Sequence, residues 1–317
     1  MLGRIVEIAE DECALSLDRG FLVVRGAEGE RGRTPVDDVA ALIGNAHGLS
    51  YSNNLLVALA ERSIPFVLCA RNHSPVGLLW PVAGHHRQGA RMDGQLRATL
   101  PLRKRLWKQL VARKIEMQAA VLDFFGEPGP RVRRLVAEVR AGDPGNVEGR
   151  AAAAYWPLVM GPRFRRDRHA DGANSLLNYG YTVLRATVAR HVMAAGLHPG
   201  IPLHHGNEGN AMRLVDDLME PFRPLVDAWV RRLVVGGAER LDRSEKRALA
   251  LLPIRLLVSP RGAGPVTVAI QRLTVSLAQI YEGQRSQLEL PVGTQAALAR
   301  LFDEPGSEID EATPPAP

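Results

Sequence analysis

Along the first 85 residues apolar side chains come in short, strand-length runs, and beyond about residue 95 they recur every three or four positions. RIVEIA predicts a strand, and CALSLDRGFLVVRG predicts two strands joined at Asp18-Arg19-Gly20. VAALIG, bounded by Gly44, predicts another. Ser52 or Asn53 is placed to cap a helix through NLLVALAER, after which IPFVLCA and VGLLWPV return to strand-like runs. Residues 81–95, PVAGHHRQGARMDGQ, mix glycine and charge without a period and predict an exposed linker.

The remainder predicts helices. Leu106, Leu110, Met117, Val121 and Phe125 form one apolar stripe, with Arg103, Lys104, Arg105, Lys108, Arg113 and Lys114 assigned to a solvated polar face. Pro128 and Pro130 break that helix, RLVAEVRAG predicts a short one, and DPGN a turn. Asn146 can cap a helix starting at Val147, which puts Glu148 in its first turn, where the helix dipole favours a carboxylate. RFRRDRHADG has no apolar period and predicts a basic loop. Asn174 opens a long helix that Gly196 and Pro199 stop. Leu225, Trp229 and Leu233 continue an apolar stripe that Pro221 and Pro224 kink or restart, and SEKRALALL and VTVAIQRLTVSLAQIYEGQ add two more helical patterns. The fold class expected is α+β: a small β-rich N-terminal domain over 1–88, a larger all-helical domain over 89–302, and a disordered acidic, proline-rich tail over 303–317.

Composition narrows the classes. Two cysteines in 317 residues, Cys13 and Cys69, with no CxxC or Cys/His cluster, argue against a disulfide scaffold or a structural zinc site and suit a reducing cytosol. The N-terminus lacks a signal-peptide pattern, and no apolar run reaches membrane-spanning length, so a cytoplasmic location is expected. A net charge of +6 and an isoelectric point near 9.7 favour a polyanionic partner. His47 and His73 fall in loops without neighbours that suggest chemistry, and His85 and His86 fall in the linker.

The densest chemistry is HHGNEGNAMRLVDDLMEPFRP, residues 204–224. Asp217 and Glu220 share a helix face, where like charges repel mildly unless a cation lies between them. His205 precedes Asp217 by twelve residues, enough for a turn that folds the imidazole back over the carboxylates. A capping histidine pair and a solvated acidic face is the bland alternative. Arg163, Arg165, Arg166 and Arg168 suit bidentate phosphate contacts.

Three segments in order carry a resemblance: VEGRAAAAYW; LLNYGYTVLRATVARHVMAAGLHPGI; and HHGN followed by LVDDLMEPFRPLVD. Together they resemble the CRISPR adaptation integrase, the universal CRISPR-associated endonuclease of antiviral defence, most closely its type II branch. The resemblance covers roughly residues 145–230. It implies a helical catalytic domain and a metal-dependent endonuclease/integrase that inserts spacer DNA into a CRISPR array by attack of a DNA 3′-hydroxyl on a repeat phosphodiester. It implies Mn²⁺ or Mg²⁺ held by Glu148, His205 and Glu220, with Asp217 supporting and His204 the alternative if the histidine pairing slips by one. The implied partners are double-stranded DNA (spacer precursor and CRISPR repeat), a second copy in a homodimer formed through the N-terminal domain, and a small second adaptation protein. Two rival readings stand beside it: a non-catalytic DNA-binding scaffold, and a metallohydrolase of small phosphate esters, which the absence of a glycine-rich nucleotide cradle disfavours.

Overall fold

The computed structural model of the chain describes residues 4–70, 75–79, 81 and 85–303. Its first part is built from strands β1 (Arg4–Ile8), β2 (Ala14–Asp18), β3 (Phe21–Gly26), β4 (Gly29–Pro35), β5 (Val39–Gly44) and β6 (Ser50–Tyr51), helix α1 (Asn53–Glu61), and strands β7 (Phe66–Cys69) and β8 (Pro75–Leu79). The β2–β3 hairpin turns through Arg19 and Gly20, both at positive φ, the backbone that a two-residue turn matching the strand twist requires. Ser52 caps α1 by accepting from the Leu55 N–H.

These strands form two four-stranded sheets. One has the order β4-β3-β2-β6, antiparallel except for the parallel β2–β6 pair. The other has the order β1-β5-β7-β8, parallel except for β8. Leu15, Leu22, Val36, Leu42, Leu55, Leu59 and Phe66 form the buried cluster of this half. Ala41 and Ile43 of β5, alternate residues and hence on one face, pack with Val67 and Ala186 in a second cluster.

Ala186 lies on α6, in the helical half. That half comprises α2 (Gln88–Arg97), α3 (Leu100–Phe124), α4 (Gly129–Arg133), α5 (Val147–Met160), α6 (Ala173–Ala194), α7 (Arg213–Met219), α8 (Arg223–Val235), α9 (Arg243–Ala250), strands β9 (Leu256–Ser259) and β10 (Gly262–Pro265), and α10 (Val266–Tyr281). Polar ties reinforce the junction between the halves: the Tyr179 hydroxyl donates to Glu7 at 2.7 Å, and Arg190 donates to the Val39 carbonyl at 2.9 Å.

The structure corrects several expectations. The C-terminal part is not all helical. Leu256–Ser259 and Gly262–Pro265 pair as an antiparallel hairpin, because Pro260 cannot continue a ladder and Gly262 adopts φ 95°. The linker ends early: α2 begins at Gln88, and Gln95 is buried, exchanging hydrogen bonds with the His198 backbone. The helix expected in RLVAEVRAG is a 3₁₀ turn over Arg134–Glu138. His47 is not partnerless, its Nδ1 lying 3.4 Å from Asp11. His73 and, apart from Asp303, the expected tail lie outside the described residues. Among the described residues no helix is long and apolar enough to cross a membrane.

Helix α3 runs through the middle of the helical core, burying Leu106, Trp107, Leu110, Val111, Ile115, Met117 and Val121. Helix α6 crosses α8 closely at Gly180, where an added Cβ would stand 2.5 Å from the Val226 side chain. Gly180→Leu is therefore expected to lose about 2 kcal/mol of stability in urea denaturation, despite leucine's better helix propensity.

Candidate active site

Four elements deliver the charged residues to one place. Helix α5 starts where Asn146, at φ 46°, accepts from the Gly149 N–H, while Asp143 accepts from the Val147 and Glu148 N–H groups. A side chain at 149 would collide with that cap, since a Cβ there would lie 2.7 Å from Asn146. The first turn thus presents Glu148, as the sequence predicts. Helix α7 ends in a 3₁₀ turn, Glu220–Phe222, forced by Pro221, and α8 restarts at Arg223. This turn buries Glu220 to 4% exposure.

The fourth residue at the centre is one that the charge pattern puts on a solvated face. Lys114 sits on α3 in register with Trp107, Leu110, Val111 and Gln118, inside the buried stripe. A charge at i, i+3, i+4 and i+7 of an apolar stripe is the signal that marks it. Its Nζ donates to Glu148 Oε1 and Glu220 Oε2, each at 2.5 Å, so these oxygens lie at most 5.0 Å apart. Arg223 donates to the other Glu220 oxygen at 2.8 Å. Burial opposes ionisation of Glu220, but Arg223 and Lys114 outweigh it and hold the carboxyl at about 2. Burial likewise disfavours the Lys114 ammonium, and Glu220 and Glu148 overcome it, raising its pKa.

The adjacent aspartates of α7 divide two tasks. Asp216 accepts from Arg185 of α6 at 2.7 Å and from Asn210 at 2.5 Å, pinning the loop that follows the histidines. Asp217, fully buried, accepts from the backbone N–H groups of Leu203, His204 and His205 and from the His205 ring at 2.7 Å. One carboxylate therefore folds the histidine loop, as a cap folds a helix end. With Asp217 accepting from three backbone N–H groups, His205 Nδ1 is the ring nitrogen that donates to it, and Nε2 is left to act as a ligand. The hydrogen bond to Asp217 is the main cause that raises the His205 pKa, with burial opposing it and the charges of Asp217 and Glu220 adding to it. His204 faces elsewhere, its ring stacked on Trp107 at 4.3 Å with the planes 4° apart.

Behind Glu220 lies a second polar layer. The Tyr181 hydroxyl donates to the buried Asp227 at 2.5 Å, and burial pushes the Asp227 carboxyl up to about 6 against that bond. The guanidinium groups of Arg223 and Arg166 lie over the Tyr181 ring at 4.7 and 5.5 Å. Arg166 donates to Asn174 and Asn178, so it ties the basic loop to α6. Arg163, Arg165 and Arg168 are the exposed members of that cluster.

Of the expected metal ligands, the structure brings Glu148 and Glu220 together around one cation and seats His205 on Asp217. As placed, no three His, Cys, Asp or Glu side chains among the described residues surround one point, and the Lys114 ammonium stands between the two glutamates. Two carboxylates that share a cation, and an imidazole oriented by a third, match in charge and donor type what a divalent ion of the Mn²⁺ or Mg²⁺ kind takes.

A family model described as CRISPR associated protein Cas1 matches residues 6–250. A CRISPR-associated endonuclease Cas1 from Neisseria meningitidis serogroup C (strain 8013) is 34% identical over 282 residues, which span 87% of this chain and 92% of that protein. Two solved structures share the fold. A casposase bound to integration product has a TM-score of 0.75 at 19% identity, over 90% of this chain and 92% of that one. A chain of a Cas6-RT-Cas1–Cas2 complex has a TM-score of 0.71 at 18% identity, over 92% of this chain and 36% of that one.

Asp217→Ala is expected to cost about 3 kcal/mol in urea denaturation, since it strands buried donors that one carboxylate satisfies. It should also release the histidine loop, read as faster amide exchange at 203–205.

Proposed function

The chain belongs to the Cas1 family of CRISPR-associated proteins, and from that membership we propose that it is a DNA endonuclease and integrase of spacer acquisition. The observation that carries the reading is the gathering of Glu148 and Glu220, from different helices, around one buried cation, with the His205 ring held by Asp217. A DNA-binding scaffold has no use for a costly buried carboxylate paired with a second one in this position.

In this proposal Glu148, His205 and Glu220 hold a divalent ion, Mn²⁺ or Mg²⁺. When bound, the ion polarises a phosphodiester and favours attack by a DNA 3′-hydroxyl or by water. The chain's own residues supply the rest. Asp217 fixes the ring and protonated nitrogen of His205. Arg223 holds Glu220 from the far oxygen and rests on Tyr181, which Asp227 anchors, so the carboxylate is positioned before substrate arrives. The exposed Arg163, Arg165 and Arg168 contact DNA phosphates beside the site.

Double-stranded DNA as substrate is supported by the fold shared with a casposase bound to integration product. A small second adaptation protein as partner is supported by the Cas1–Cas2 assembly among the structural relatives. We propose a homodimer as the working unit, with the β-rich half as its contact surface.

Glu148→Gln, Glu220→Gln and His205→Ala should each abolish strand transfer on a labelled repeat substrate and cleavage of branched DNA, while DNA affinity stays near that of the unaltered protein. Glutamine is preferred to alanine because it leaves Lys114 and Arg223 an acceptor. Full activity in His205→Ala would move the imidazole role to His204.

Replacing Arg163, Arg165 and Arg168 by alanine should lower the salt dependence of duplex binding by roughly 0.9 in log–log slope for each phosphate no longer neutralised, without a fall in thermal midpoint. Arg166→Ala should instead lower the midpoint, since it bridges Asn174 and Asn178. A slope unchanged by the triple substitution would remove these arginines from the DNA surface.

A further inference from the structure

A lysine in the middle of a buried helical stripe is tolerated only with partners, and those of Lys114 are the two glutamates proposed above as metal ligands. Its Nζ lies 2.5 Å from an oxygen of each. The second oxygen of Glu220 is taken by Arg223. An ion entering between the carboxylates therefore needs the space and the lone pairs that the ammonium occupies.

We infer that Lys114 is a built-in counter-ion that holds Glu148 and Glu220 together until a divalent ion displaces it. Loading the site is then an exchange. Two ammonium–carboxylate contacts break, two carboxylate–metal contacts form, and the lysine leaves with its proton. This inference rests on the metal-site reading of the proposed function.

The geometry selects Lys114 as the group that yields. It is the cation that bridges both carboxylates, whereas Arg223 touches Glu220 alone and is seated on the Tyr181 ring. A lysine is also a compact charge on a flexible stem, while a stacked guanidinium is fixed in plane. The Glu148 side chain is 30% exposed against 5% for Glu220, so the released ammonium has a way to water past Glu148. The consequence is a linkage. The lysine stabilises the metal-free protein and, by the same contacts, weakens metal binding.

The test titrates Mn²⁺ by calorimetry into the full-length, chelator-stripped protein and its Lys114→Gln, Lys114→Met and Glu220→Gln variants, with thermal midpoints in chelator and in saturating Mn²⁺. Lys114→Gln retains two N–H donors and so keeps the fold while removing the charge. It should bind Mn²⁺ about tenfold more tightly or better, and its midpoint should fall in chelator and recover in Mn²⁺. Lys114→Met should show the larger loss in chelator, and folding restored to it by Mn²⁺ would support the exchange. Lys114→Gln binding Mn²⁺ no more tightly than the unaltered protein, or keeping its full midpoint in chelator, would overturn the inference. Those results with binding still lost in Glu220→Gln would leave the metal site intact and remove the counter-ion alone. Absence of saturable Mn²⁺ binding in the unaltered protein, or binding that survives Glu220→Gln, would bring down the metal-site reading itself and this inference with it.

Discussion

Glu148 and Glu220 bring carboxylate oxygens to within 5.0 Å of each other, where like charges repel, and the helical half of this protein is arranged around neutralising that repulsion. Lys114 reaches them from α3, Glu148 stands at the first turn of α5, and Glu220 sits in the tight turn between α7 and α8 with Arg223 on its outer side. Each carrier is locked by its own device. Asn146 and Asp143 cap α5, Pro221 sets the turn, and the apolar stripe of α3 fixes the depth at which the lysine emerges. Removing Glu220 would leave Arg223 without its carboxylate and Lys114 with Glu148 alone, which is more costly than never having buried these cations.

Around this cluster, short-range polar contacts turn loops into rigid supports. Asp217 replaces a missing secondary structure by accepting from three consecutive backbone N–H groups and from the His205 ring. Trp107, from α3, stacks on His204 and meets His205 edge-on, so the helix that carries Lys114 also backs the histidine loop. The β-rich half is tied to this frame through α6, by apolar packing at Ala186 and polar contacts at Glu7 and Val39. That sheet therefore steadies the same helix whose Arg185 and Tyr181 hold the acidic segment.

Much of this was legible from the chain. The strand runs, the Asp18-Arg19-Gly20 turn, the Ser52 and Asn146 caps and the proline restart before α8 are local signals, and local geometry obeyed them. Residue type, spacing and resemblance single out Glu148, His205, Asp217 and Glu220, and the structure joins Glu148 to Glu220 through Lys114 and sets His205 against Asp217. Three local readings failed: RLVAEVRAG forms a 3₁₀ turn, α2 begins inside the expected linker, and the 256–265 hairpin gives no strand signal, because LLVS and GAGP are too short and too poor in alternation to stand out beside strong helical patterns.

By itself the sequence determined most element types, several helix starts and the candidate ligands, because capping, periodicity and proline act within a few residues. Only the tertiary structure decided which charges meet. Lys114 and Arg166 belong by composition to basic, solvent-facing runs, yet one lies buried between two carboxylates and the other is bound to Asn174 and Asn178. The partners of a buried charge come from helices distant in sequence, and no local pattern records which face of one helix will be pressed against the end of another.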